Sequence, residues 1–150
     1  ANDNASGQVV LSGNKDAVER AIEIASGRGA RRSVLLPVSA PFHCTLMAPA
    51  ADVMAEVLMD VKLVAPVVPL IANVTASPED DINEIRRLLV EQVTGMVRWR
   101  ESVLYMKDNG VDTLVEIGAG KVLTGLARRI DRELTGITVG TPEGIEAFLA

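Results

Sequence analysis

The sequence predicts an α/β chain, and three observations carry that prediction. After residue 66, short apolar strand-like runs alternate with helical ones, the pattern of a parallel sheet flanked by helices with right-handed crossovers. Before it, a strand, a helix and a second strand follow one another closely, which reads as half of a small two-layer sandwich of the ferredoxin-like kind. Hydrophobic residues make up 48% of the chain and aromatic ones only 3%, so aliphatic side chains must fill the interior.

Taken in order, residues 8–12 are short, β-branched and followed by Gly13 and Asn14, so a strand ending in a turn is expected, with Asn14 placed to cap the helix after it. From Lys15 to Ser26, Ala17, Val18, Ala21, Ile22 and Ala25 recur at helical spacing, and Gly27 and Gly29 stop the helix. Ser33–Ser39 reads as a second strand, nearly all apolar as in a strand covered on both faces, with Pro37 marking an edge or an end. From Ala48 the period turns helical, with Pro49 in the first turn and Ala50, Val53, Met54, Val57, Leu58 and Val61 as the expected buried stripe.

Val67–Val74 reads as a buried strand. Ser77, Pro78, Glu79 and Asp80 resemble a capped helix start, and Ile82, Ile85, Leu88, Leu89 and Val93 carry that helix to Gly95. A helix over about 98–109 should bury Trp99, Val103 and Met106. The remaining expected elements are a strand at 113–117, a tight turn at 118–120, a helix at 122–134, a strand at 137–141 and a helix at 142–149. No repeat, low-complexity tract or long linker interrupts the series.

Composition excludes several classes of function. A net charge of −5 argues against a general nucleic-acid binder. The longest apolar run, Leu63 to Ala72, is broken by Pro66 and Pro69 and is too short to span a bilayer, so no membrane association is expected. The opening ANDNASGQ has neither a basic region nor an apolar core and lacks an initiator Met, so the sequence is expected to start inside a longer protein. The single Cys44 suits a reducing cytoplasm.

Chemistry centres on PVSAPFHCTLM, residues 37–47, which holds the only histidine. Histidine changes charge near neutrality, so His43 at a strand exit is the first candidate for proton transfer, against the plainer reading of a structural ring. Cys44 makes a poor nucleophile for it, because neighbours on an extended segment point to opposite sides. The Gly118-Ala-Gly120-Lys121 turn lacks phosphate-loop spacing, and one His with one Cys makes no convincing zinc site. Arg28, Arg31 and Arg32, then Arg128, Arg129 and Arg132, form basic clusters that read equally well as solvated helix ends.

Five blocks taken together go further. ANDNASGQVVLSG (1–13), GARRSVLLPVSAPFHCTLM (29–47), PLIANVTA (69–76), EQVTGMVRWRESV (91–103) and EIGAGKVLTGLARRI (116–130), in this order, resemble the second half of the malonyl-CoA:acyl carrier protein transacylase family of bacterial fatty acid synthesis. The resemblance runs the length of the chain. It implies that residues 1–42 are the second half of a ferredoxin-like subdomain, and that 43–150 are the C-terminal part of a large parallel-sheet acyltransferase domain of α/β-hydrolase-like kind.

It also implies roles. His43 would be the general base and acid for a serine nucleophile, with the main-chain carbonyl of Gln92 as its orienter. Asn2 and Asn4 would line the cleft between subdomains, although an Asn-Asp-Asn tract also favours an ordinary turn. Phe42 would narrow the acyl pocket or be a core aromatic. Arg32 and Arg129 would meet the phosphates of CoA or the acidic surface of acyl carrier protein, which guanidinium chemistry suits. No cofactor or metal is implied.

The family's serine elbow, G-x-S-x-G, occurs nowhere in the 150 residues. The partners expected are therefore malonyl-CoA, acyl carrier protein and the N-terminal half of the same enzyme, with the isolated chain inactive. An acyltransferase domain of a polyketide synthase, or a non-catalytic carrier-binding module, would carry many of the same residues.

Overall fold

The helix over Ile82–Glu91 and the two turns that flank it place the candidate site. The computed structural model describes residues 1–150. Strands β1 (Asn2–Ala5) and β2 (Gln8–Val10) form an antiparallel hairpin, followed by helix α1 (Lys15–Gly27). A single 3-10 turn at Thr45–Met47 leads into α2 (Ala48–Asp60). Next come β3 (Leu70–Ile71), β4 (Pro78–Glu79), α3 (Ile82–Glu91) and α4 (Trp99–Asp108). The chain closes with β5 (Thr113–Ile117), α5 (Val122–Ile130), β6 (Thr135–Val139) and α6 (Pro142–Leu149).

The expected β-α-β unit forms at the C-terminal end, but its helix stops at Ile130 and its second strand runs Thr135–Val139, two residues earlier than expected. β5 and β6 pair in parallel, from Thr113 opposite Thr135 to Ile117 opposite Val139, with α5 as the crossover. Gly136 is required there, because a Cβ on it would collide with the Thr124 side chain on α5. The Thr141 hydroxyl caps α6 by accepting from the Gly144 N–H at 3.1 Å.

Elsewhere several expectations fail, for physical reasons. Ser33–Ser39 forms no strand: it has no pairing partner, and Val34, Leu35, Leu36 and Val38 are 53–58% exposed. Val67–Val74 shrinks to two residues paired antiparallel with β4, and Val67 lies 99% exposed. The expected helix start at Ser77–Asp80 is instead β4, and α3 begins one turn later, where the Asp81 carboxylate accepts from the N–H groups of Asn83 and Glu84 at 2.9 Å. Asn14 occupies the N-cap position of α1 without a side-chain capping bond. The Asn-Asp-Asn tract is strand β1, because Asp3 N–H donates to the Val97 carbonyl and holds the tract extended.

The stripe on α2 does not form a core either. Leu58 is buried, but Val53 and Val57 are more than half exposed. Helix α2 touches α3, where the Arg86 guanidinium donates to the carbonyls of Leu58 at 2.9 Å and Val61 at 3.3 Å. The core is small: Ala5, Val97, Val103, Leu126, Ala127, Leu134 and Val139 are buried where β1, α4, α5 and β6 meet, and the other buried apolar residues are Leu58, Ala72, Ala76, Ile85 and Leu88. Total accessible surface is 10423 Å², whereas an independent globule of this mass would expose roughly 7,400 Å². The excess is about 3,000 Å², and large aliphatic side chains such as Leu35, Val57 and Val67 are among the exposed residues.

Candidate active site

His43 sits in a left-handed backbone conformation, with φ of 57°, one of two non-glycine residues in the chain with positive φ. Such a residue costs of order 1 kcal/mol or more and persists only where its surroundings hold it. Here the Cys44 thiol turns back to the Pro41 carbonyl at 3.1 Å and Phe42 N–H donates to the Ala40 carbonyl at 3.0 Å, closing the loop on both sides of the ring. Cys44 thus shapes the loop rather than forming a thiol–imidazole pair. The ring is partly buried.

The imidazole Nδ1 lies 2.8 Å from the main-chain oxygen of Gln92. A carbonyl only accepts, so Nδ1 must donate, and in the neutral ring Nε2 is left as the acceptor. Gln92 is the C-cap of α3, with φ −62° and ψ −20°. Its carbonyl is one of the terminal groups left without a helical partner, and it stands at the negative end of the helix dipole. The orienter therefore supplies partial negative charge as well as direction, which the sequence did not reveal.

One residue that sequence reasoning left unassigned joins this pair. Asn73 Nδ2 donates to the Gln92 side-chain Oε1 at 2.8 Å. Asn73 lies in the turn between β3 and β4, and its own carbonyl accepts from the Arg98 N–H at 2.9 Å. The Arg98 guanidinium spans the carbonyls of Val74 at 3.3 Å and Thr75 at 3.0 Å. Asn73 and Gln92 also share a cleft of about 210 Å³ with Leu70, Ile71 and Leu88. The signal was present in the PLIANVTA block, but nothing in sequence spacing links position 73 to position 92.

None of the other candidates hydrogen-bonds to this triad. Asn2 bridges to Val97, and neither Asn2 nor Asn4 hydrogen-bonds to His43 or Gln92. Phe42, 46% exposed, flanks the ring at the surface. Arg32 is exposed beside the unpaired 33–39 segment, and the Arg129 guanidinium donates to the Gln8 side chain, tying α5 to the hairpin. No group of His, Cys, Asp and Glu side chains is arranged to hold a metal ion.

No protein-family model matches the chain. Among curated proteins it is 46% identical over 148 residues to the malonyl CoA-acyl carrier protein transacylase of Escherichia coli strain K12, a match covering 99% of this chain and 48% of the relative. Among solved structures, the acyl-carrier-protein S-malonyltransferase of Bartonella henselae is 60% identical and superposes with a TM-score of 0.94 over 99% of this chain and 48% of that one. A malonyl-transacylase solved in complex with a type II polyketide synthase acyl-carrier protein is 44% identical, with a TM-score of 0.91 over 98% of this chain and 48% of that one. The chain thus spans about half the length of the relatives it matches. By sequence and by fold alike, the chain is similar along nearly its whole length to malonyl-CoA:acyl carrier protein transacylases, and matches about half of each.

Proposed function

We propose that this chain is the base-bearing, C-terminal half of an enzyme that moves malonyl from malonyl-CoA to the phosphopantetheine thiol of acyl carrier protein. The observation that carries the reading is the His43–Gln92 hydrogen bond, which fixes Nδ1 as donor and turns Nε2 into a proton acceptor. In the first half reaction Nε2 takes the hydroxyl proton of a serine from the other half as that oxygen bonds to the thioester carbon. The C–S bond then breaks, and Nε2 returns the proton to the CoA thiolate. In the second, Nε2 takes the carrier thiol proton as sulfur attacks the acyl-serine, and the serine oxygen recovers it.

The same reading assigns residues 1–42 to a small ferredoxin-like subdomain and 43–150 to the large acyltransferase domain. Asn2, Asn4 and Phe42 would then wall the acyl cleft, while Arg32 and Arg129 would receive the CoA phosphates or the acidic carrier. The excess apolar surface supports a second, serine-bearing half as the obligate partner, since interfaces of that kind are large and aliphatic. The chain by itself is then inactive. Cys44, the only thiol, suits a reducing cytoplasm, where we place the reaction.

The test mixes the chain with an N-terminal half carrying the G-x-S-x-G stretch, malonyl-CoA and holo acyl carrier protein, and follows malonyl-carrier by intact mass. Transfer should need both halves and vanish in His43→Ala. Carrier binding without any transfer would replace this reading with a non-catalytic binding module. The relative solved with a polyketide carrier favours a second reading of the acceptor, so fatty-acid and polyketide carriers are compared side by side.

A further inference from the structure

We infer that Asn73 is a positioning residue for His43, acting through the side chain of Gln92; the inference rests on the transacylase reading. The Gln92 carbonyl can orient the imidazole only if its peptide plane is held, yet Gln92 is the C-cap of α3, just past its last helical residue, where helices fray. Its backbone is anchored on one side by its N–H to the Leu88 carbonyl at 3.0 Å. Its side chain is anchored on the other side by Asn73 Nδ2 at 2.8 Å. Asn73 is in turn fixed by a main-chain bond to Arg98 and by the Arg98 guanidinium over the next two carbonyls.

A second contact ties the same two turns together. A Cβ built on Gly95 would lie 2.7 Å from Cγ1 of Val74, so the 91–95 and 72–76 turns already touch without a side chain between them. Two links from the 72–76 turn, one polar and one steric, therefore converge on the segment that presents the Gln92 carbonyl. The Asn73 bond is the one that reaches Gln92 itself.

The experiment is a double-mutant cycle in the complete enzyme, read as malonyl transfer at varied malonyl-CoA. Asn73→Ala should lower kcat about five- to tenfold with KM unchanged, as expected when one hydrogen bond that acts on the transition state is lost. Gln92→Ala, which keeps the main-chain carbonyl, should fall by a similar factor, and the double variant should fall no further. Gln92→Glu keeps an acceptor for Asn73 and should restore most of kcat.

An Asn73→Ala enzyme within twofold of wild type overturns the inference, as does a double variant whose loss is the product of the single losses. Should Asn73→Ala fail to fold, the Gln92 pair decides: Gln92→Glu as slow as Gln92→Ala overturns it. A wild-type enzyme with no malonyl transfer would overturn the function itself, an outcome separate from all of these.

Discussion

The Glu116 carboxylate on β5 caps the helix that comes after it, accepting from the Thr124 N–H at 2.8 Å and the Thr124 hydroxyl at 2.7 Å. It also accepts from the Leu123 N–H at 3.1 Å, so one strand residue satisfies two orphan donors at the start of α5. These donors, Thr124 first, hold the Glu116 carboxyl below the usual glutamate range. A lowered folded-state value means the contribution is complete above the ordinary glutamate pKa and is lost as pH falls through the lowered one. Glu116→Gln should therefore lower the urea midpoint at neutral pH, and the gap to wild type should close in acid. A gap that persists unchanged at acid pH would show that the charge is irrelevant to the cap.

The hairpin is fastened to α4 by a paired ion contact. Arg100 donates through Nε and Nη2 to Asp3 Oδ2, at 2.9 and 2.7 Å, across 97 residues of sequence. Both groups are partly shielded, and the two-point geometry makes the contact directional. Arg100→Lys retains charge but loses the fork, so it should release β1 nearly as much as Arg100→Ala. Hydrogen exchange at the Asp3 amide, which donates to the Val97 carbonyl, reads this directly. Equal protection in wild type and Arg100→Lys would count against the fork.

Legibility in the sequence divided along physical lines. The β5-α5-β6 unit was readable because its partners are local: strand, crossover and strand lie within 27 residues of one another, from Thr113 to Val139. Ser33–Ser39 and Val67–Val74 have the composition of buried strands, but a strand is made by its neighbours, and no other segment of this chain pairs with the first. Pro78 followed by acids looks like a helix start, yet pairing with Ile71 outweighed that local preference, and Asp81 took the capping role. His43 stood out by residue type, but its pairing with the Gln92 carbonyl was legible only through resemblance. Asn73 was not, since a side-chain bond across 19 residues leaves no trace in spacing.

The exposed aliphatic surface predicts how the isolated chain behaves. Val34, Leu35, Leu36 and Val38 are exposed together on an unpaired extended segment, and α2 exposes Val53 and Val57 nearby in sequence. Exposed aliphatic side chains in such number bind hydrophobic dyes and drive self-association. The chain alone should enhance anilinonaphthalene sulfonate fluorescence, and adding a serine-bearing half should suppress it as the surface is covered. Leu35→Lys should weaken that complementation at least tenfold, because it would bury an unpaired charge in the new contact. Dye fluorescence unaffected by the second half would mean that it covers some other face.

Gly95 supplies the sharpest test of how the site is held. Any side chain there meets Val74 Cγ1 at 2.7 Å and the Glu91 carbonyl at 3.0 Å, closer than packed carbon atoms approach. Gly95→Ala must push the 91–95 turn away from the 72–76 turn, at about 1–3 kcal/mol for overpacking. The Asn73–Gln92 hydrogen bond crosses the same gap, so stretching it should misplace the carbonyl that orients His43. Malonyl transfer by the complete enzyme should fall more than its stability explains. Val74→Ala removes the clashing methyl, so the Gly95→Ala, Val74→Ala pair should recover much of the lost transfer, although each change alone weakens the fold. A double variant no faster than Gly95→Ala would show that the clash with the Glu91 carbonyl, within the 91–95 turn itself, and not the one with Val74, causes the loss.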